Sequence, residues 1–348
     1  MKKDRWIELD LFKFFGLISL LLWHTIDWWF SDGKGMIWGL ENMTEYMNFF
    51  QVGMSFFLFL CISLPITAGV SIYFMHKKGK NLVIRGLLLV FYGFFVNYIS
   101  FGSDDIISWD ILQFIGLSTI LIFLLLKFNL NNKILIGIPI GIILISKIFT
   151  NYYFQKIAVY DSPYRKLIDN IFFGDPSGES YYPLLPWFSL VIIGYLIAYY
   201  KESLNIQREK ISKYSLLLSF ILSPFYFISN EIWKYDVMNT WGSHIFMPTL
   251  IDFISLFPLF FLIFGLLHLI SKDLVVKIYN LNFIKKLSTE ILYVYVFHSI
   301  IMYIICSYLV PQYRYDNLVL FLIIIFQYCL AYLISIISKK IKQIIVRN

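Results

Sequence analysis

The sequence predicts an all-α, polytopic integral membrane protein with about ten transmembrane helices. Hydrophobic residues make up 59% of the 348 positions and charged residues only 15%. A soluble globular domain does not need that much apolar surface, so this composition is typical of a membrane protein. Ten apolar runs are each long enough to cross about 30 Å of hydrocarbon as a helix. They lie near residues 9–30, 50–74, 83–99, 108–126, 134–150, 183–200, 214–229, 247–270, 289–310 and 317–338.

The distribution of basic residues predicts that both termini are cytoplasmic. Of the 29 Lys and Arg residues, 21 fall in the termini and loops on the side of Met1, seven fall in the opposite loops, and Lys13 lies within the first span. Such a bias is typical of cytoplasmic loops. The net charge of +7 therefore indicates a multi-pass protein of the cell membrane, in contact with the lipid bilayer, and does not indicate binding to nucleic acid.

No internal repeat is obvious and no soluble domain fits between the spans, so we expect a single transmembrane domain over residues 1–348. The three cysteines, Cys61, Cys306 and Cys329, all lie in apolar stretches. They form neither a disulfide framework nor a zinc pattern, and we expect no metal site. A homodimer is one option for the oligomeric state.

Two ionisable residues lie inside the first span. Lys13 and His24 are eleven residues apart, which is three helical turns plus 20°, so they share one face about 16–17 Å apart. Ionisable groups in hydrocarbon are costly, and two on one stripe indicate a functional site. The alternative is that Lys13 extends to the inner surface and His24 is a satisfied interior histidine.

Four stretches of the chain carry a family resemblance. Around the Lys13–His24 pair the sequence reads Arg-Trp-Ile-Glu-Leu-Asp-Leu-Phe-Lys from residue 5. The other three are 68–71 followed by Arg85, 111–117, and the Tyr-Pro-Leu-Leu-Pro-Trp run at 182–187 followed by Gly194. Together they resemble the transmembrane acyltransferases, and more narrowly the heparan-α-glucosaminide N-acetyltransferase-type proteins of bacteria and archaea. Two positions depart from that pattern, because Lys13 replaces the usual arginine and Phe14 the usual glycine. Lysine keeps the charge but loses the bidentate fork.

The resemblance implies an acyl-CoA-dependent N- or O-acyltransferase. An acyl group such as acetyl would pass from cytoplasmic acetyl-CoA to an amine or hydroxyl of a sugar or glycan on the far side. His24 would act either as general base or as the nucleophile that carries the acyl group. Lys13 would bind the CoA phosphates or oppose developing negative charge.

A carboxylate lies three residues from each of the two ionisable residues of the first span. Asp27 follows His24 by three residues and either holds the imidazole tautomer or marks the outer end of the helix. Asp10 precedes Lys13 by three residues and can pair with it. Asp252 and His298 lie within the eighth and ninth predicted spans. Each is either a polar contact between helices or a functional group.

Candidate ligand-binding residues lie at both ends of the spans. On the predicted inner side, Lys77, Lys78 and Arg85 belong to a basic cluster that suits either CoA phosphates or anionic lipid. On the outer side, the fourth span begins among acidic residues that suit an amino-sugar or hydroxylated acceptor, or form an ordinary acidic loop. These are Asp104, Asp105 and Asp110, to which the resemblance adds Trp187.

Two other functions remain open at this stage. A transporter or flippase for a polar or lipid-linked solute should show broken helices at corresponding positions of two halves. The prolines of the spans are scattered without that symmetry. A non-catalytic membrane scaffold of the same fold is the second alternative, if lysine at position 13 reflects lost activity.

Overall fold

The computed structural model describes residues 6–30, 47–101, 106, 108–128, 132–156, 167–173, 182–246, 250–305 and 317–347. Among these residues the regular elements are helices, with no β-strand. The α-helices are α1 (Ile7–Phe30), α2 (Met47–Lys77), α3 (Leu82–Phe101), α4 (Ile111–Lys127), α5 (Asn132–Lys156), α6 (Leu184–Ser203), α7 (Arg208–Phe246), α8 (Leu250–Ser255), α9 (Phe257–Leu269), α10 (Lys272–Tyr279), α11 (Asn282–Thr289), α12 (Ile291–Ile304) and α13 (Asn317–Arg347). A π-helical segment covers Asp169–Phe173.

Helical structure coincides with each of the ten predicted apolar runs, the eighth run being divided between α8 and α9. The all-α prediction is therefore confirmed. Within the part of the chain that is described, three helical stretches are long and apolar enough to cross a membrane: Leu82–Ser100, Leu184–Ser203 and Phe321–Ile341. A fourth candidate is Phe253–Leu269 with Lys272–Tyr279, which are bent by 105°. The number of ten spans and the cytoplasmic position of the termini stay predictions.

The chain divides into two compact units that interleave along the sequence. The first comprises Met1–Ser63, Ile211–Leu217 and Leu259–Asn348, and the second comprises Leu64–Lys210 and Leu218–Pro258. The expectation of one domain over residues 1–348 stays a prediction.

Helix α1 is packed inside the first unit against α10, α11, α12 and α13. Its side chains are buried on several sides, and the Phe12 ring lies edge-on to Phe260 and Phe264 of α9. A helix that is apolar on most faces has to be covered by other helices or by lipid. Helix α1 is thus an inner helix of its unit, and its few polar side chains lie among the neighbouring helices.

Close helix contacts organise the second unit and explain two of the stretches that carried the family resemblance. Gly69 of α2 and Gly194 of α6 lie where the backbones of these helices meet. A Cβ atom on Gly69 would lie 2.0 Å from the Val191 carbonyl oxygen, and one on Gly194 would lie 2.0 Å from the Ile66 carbonyl oxygen. Small residues allow membrane helices to approach this closely. Both glycines therefore serve helix packing.

Candidate active site

The side chain of His24 meets a second histidine in the first unit. His24 Nδ1 lies 3.0 Å from Nε2 of His298, which is carried by α12, and the two rings are stacked with centroids 5.1 Å apart. Tyr295, one turn before His298, contacts both rings edge-on. His298 is fully buried, whereas His24 keeps intermediate exposure. His24 is thus the accessible member of the pair.

The hydrogen bonds of His298 determine how protons are placed on the pair. His298 Nδ1 lies 3.1 Å from the carbonyl oxygen of Val294. A carbonyl only accepts, so Nδ1 carries the proton, and a neutral His298 then presents a lone pair at Nε2. Burial in apolar surroundings favours that neutral form. His24 must therefore donate from Nδ1 across the 3.0 Å contact, which leaves its own Nε2 unprotonated.

Nε2 of His24 makes no hydrogen bond to any of the described residues. An imidazole nitrogen with a lone pair and no internal partner can accept a proton from a bound molecule or attack a carbonyl carbon. Nε2 of His24 is accordingly the ring nitrogen of this pair that can accept a proton, and a catalytic role for it stays a prediction.

Lys13 lies on the same helix as His24, nearer the N-terminus of α1. Its Nζ approaches Oδ1 of Asp10 at 4.0 Å, as the three-residue spacing predicted, and its side chain is only 19% exposed. Both side chains are largely shielded from bulk water. Ion pairs that are exposed to water contribute little to stability. The charge of Lys13 is therefore partly buried and lies near the carboxylate of Asp10.

Asp27 is placed within α1, but its side chain lies outside the described residues. The same is true of Asp252 in α8, while Asp104 and Asp105 lie wholly outside. Their expected roles stay predictions.

Asp110 is the N-cap residue of α4. Its side chain accepts a hydrogen bond from the Ile111 backbone N–H at 2.6 Å, and Gln113 completes a capping box. Such boxes satisfy backbone donors that the helix start leaves unpaired. A role of Asp110 in acceptor binding stays a prediction, and it would have to coexist with this cap.

Trp187 is 1% exposed in the second unit, between the rings of Tyr182 and Phe253. Its indole N–H is buried and has no hydrogen-bond partner among the described residues. An unpaired buried donor suits recognition of a polar ligand.

The predicted basic cluster is also in the second unit. Lys77 forms an ion pair with Glu202, which accepts a hydrogen bond from the Tyr73 hydroxyl at 2.7 Å. Lys78 and Arg85 are exposed. The charge of Lys77 is therefore shared with a carboxylate, which leaves Lys78 and Arg85 as the more available cations of the three.

Sequence reasoning did not pair His298 with His24, since the two are 274 positions apart. It also missed Gln327 of α13, which is 1% exposed and whose amide atoms have no hydrogen-bond partner among the described residues. A polar residue inside an apolar run was the available signal for Gln327.

Long apolar helices define a helical, multi-pass membrane protein, and the contacting histidines His24 and His298 form its candidate site. The family model described as "Heparan-alpha-glucosaminide N-acetyltransferase, catalytic" matches residues 5–230, more than half of the chain, and the protein belongs to this family. The recognition made from the sequence is thereby confirmed. The family is one of membrane acetyltransferases that depend on acetyl-CoA in general. No curated protein and no solved structure gave a match.

Proposed function

We propose that the protein transfers an acetyl group from cytoplasmic acetyl-CoA to an amine or hydroxyl of an extracytoplasmic sugar or glycan, in the cell membrane. The observation that carries this proposal is the His24–His298 contact together with the bond from His298 to the Val294 carbonyl. It prepares His24 Nε2 as a base in a buried setting. The family match supports the same reaction class.

His24 acts as general base in this proposal. The acceptor N–H or O–H loses its proton to Nε2 while its nitrogen or oxygen bonds to the thioester carbonyl carbon. The C–S bond then breaks, and the departing thiolate takes the proton from Nε2, which returns His24 to its starting state. While His24 is protonated, its Nδ1–H bond to His298 stabilises the imidazolium.

The bound acyl-CoA supplies an activated thioester, and residues of the first unit are suited to hold it. The cation of Lys13 matches the phosphates and lies toward the end of α1 that the basic-residue bias places in the cytoplasm. Gln327 offers a buried amide that has no partner in the part of the chain that the structure describes. Between them, these side chains provide the two kinds of polar contact that a phosphorylated, amide-containing donor requires.

The test is release of CoA by the purified protein from acetyl-CoA, with and without glucosamine as an acceptor. We expect acceptor-dependent release and a product heavier by one acetyl group. Intersecting lines in two-substrate kinetics would support a general base, whereas parallel lines would indicate an acetyl-enzyme on His24. A purified, folded protein that releases no CoA with any amine or hydroxyl acceptor would refute the proposed function.

A further inference from the structure

Gln327 is an unusual residue for the middle of an apolar helix. Oε1 and Nε2 of its side chain are both buried, and neither has a hydrogen-bond partner among the described residues. It lies on the buried stripe of α13 that includes Ile323, Ala331 and Ser335, and α13 packs on α1, α11 and α12. Buried polar groups in native proteins are nearly always paired, so a buried amide with no partner among the described residues points to a role beyond packing.

A second buried glutamine, Gln113, shows which hydrogen bonds this side chain makes when its role is structural. Gln113 accepts at Oε1 from the Asp110 backbone N–H at 3.3 Å and donates from Nε2 to the Ser108 carbonyl at 3.2 Å. Both of its amide atoms are used. Gln327 has the same chemistry and comparable burial but neither bond.

The neighbouring residue Tyr328 shows which part of α1 lies beside this part of α13. The Tyr328 hydroxyl donates to the carbonyl oxygen of Ile18 at 3.4 Å. Ile18 follows Lys13 by five residues and precedes His24 by six, which is about 8–9 Å along the helix from each. This part of α13 is therefore near the level midway between the proposed phosphate contact and the reactive nitrogen.

We propose that Gln327 forms a subsite for an amide of the flexible arm that joins the thioester of the acyl donor to its phosphates. This inference rests on the proposed function. A secondary amide offers one N–H and one C=O, and the Gln327 side chain offers an acceptor at Oε1 and donors at Nε2. One amide of the arm would satisfy both atoms, at a level along α1 between those of Lys13 and His24.

The experiment compares Gln327→Leu with the matched variant Gln113→Leu in the full-length protein. Removing an amide that has no partner should leave the melting temperature equal or higher, whereas removing the paired Gln113 should lower it. Calorimetry with CoA should show affinity weakened about tenfold in Gln327→Leu, which corresponds to loss of roughly one to two hydrogen bonds. Gln113→Leu should bind CoA as the wild type does.

A thioester without amides, S-acetyl-mercaptoethanol, gives the kinetic counterpart. Gln327→Leu should raise KM for acetyl-CoA and leave kcat/KM for the short thioester unchanged. Wild-type CoA affinity in Gln327→Leu, an equal loss with both thioesters, or a fall in melting temperature as large as that of Gln113→Leu would overturn the subsite. CoA binding that depends on Gln327 without any acetyl transfer would instead refute the proposed function and keep the subsite.

Discussion

Two buried histidines of the first unit have the same local geometry but different partners. His268 and His298 each direct Nδ1 to the carbonyl oxygen four residues earlier, at 2.7 and 3.1 Å, and each accepts a hydrogen bond at Nε2. The donor to His268 is the indole N–H of Trp6, which has no lone pair to offer in return. The donor to His298 is His24, whose second ring nitrogen remains a base.

This comparison shows that burial and the tautomer do not distinguish the two histidines. The carbonyl contact gives both residues the same neutral form, with a proton on Nδ1. What differs is whether the residue that donates to Nε2 can itself take up a proton. The hydrogen bond between Trp6 and His268 therefore serves packing alone in this comparison. The partner of His298 is His24, which can still accept a proton.

The largest effect is expected from His24→Ala. Loss of a general base typically costs roughly 10²–10⁴-fold in rate, so kcat/KM for acetyl transfer should fall by that amount while the protein still assembles. The measurement is CoA release at matched protein concentration, with thermal unfolding as the check on folding. His268→Gln is the control, because glutamine keeps one donor and one acceptor and should retain turnover. Near-normal turnover of His24→Ala would remove His24 from the chemistry.

Replacing His298 should have the next largest effect and separates positioning from packing. His298→Phe keeps a ring but neither hydrogen bond, and kcat should fall roughly 10–100-fold, the loss typical when the partner that orients a functional histidine is removed. His298→Gln can donate to the Val294 carbonyl and accept from His24, so it should recover much of kcat. KM for acetyl-CoA should stay unchanged in both variants. Equal activity of the two His298 variants would mean that the hydrogen bonds of His298 have no role in catalysis.

Lys13 should contribute mainly to donor affinity. Lys13→Met keeps a long side chain and removes the charge, so KM for acetyl-CoA should rise about tenfold or more, as expected for a lost charged hydrogen bond. Lys13→Arg should keep activity, since arginine also carries a positive charge at the end of a long side chain. A fall in kcat at constant KM would instead place the charge at the transition state. Unchanged kinetics in Lys13→Met would show that the lysine serves topology alone.

Helix location was predictable from the sequence because apolar length and charge bias are local properties of the chain. The Lys13–His24 stripe was predictable for the same reason, since both residues lie on one helix. The partner of His24 was not, because the packing of α12 on α1 is a tertiary choice that no periodicity records. Sequence analysis proposed His298 either as an interhelical tie or as a functional group, and the structure shows an interhelical hydrogen bond to His24, a partner that the sequence did not predict.

Two other residues left a local signal that was not used. The Asp-x-x-Gln spacing of Asp110 and Gln113 at the start of an apolar run is a capping-box pattern, and the structure contains that box. Gln327 interrupts an apolar span as His24 does, and the same reasoning would have selected it. The orphaned state of its amide needed the structure, because satisfaction of a polar group depends on its surroundings.

The smallest effect is expected at the structural histidine. Trp6→Phe keeps a ring beside Phe264, which the indole now meets edge-on at 5.6 Å, but it removes the N–H that donates to His268 Nε2 at 3.0 Å. The imidazole nitrogen then loses this donor while buried, at a cost of about 1–3 kcal/mol. We expect a melting temperature lower by a few degrees and kcat and KM within about twofold of the wild type, since the tie does not reach the reactive nitrogen of His24. Thermal unfolding in detergent and CoA release from one preparation would measure both. Lost turnover at an unchanged melting temperature would contradict the comparison, because it would show that His268 also serves the reaction.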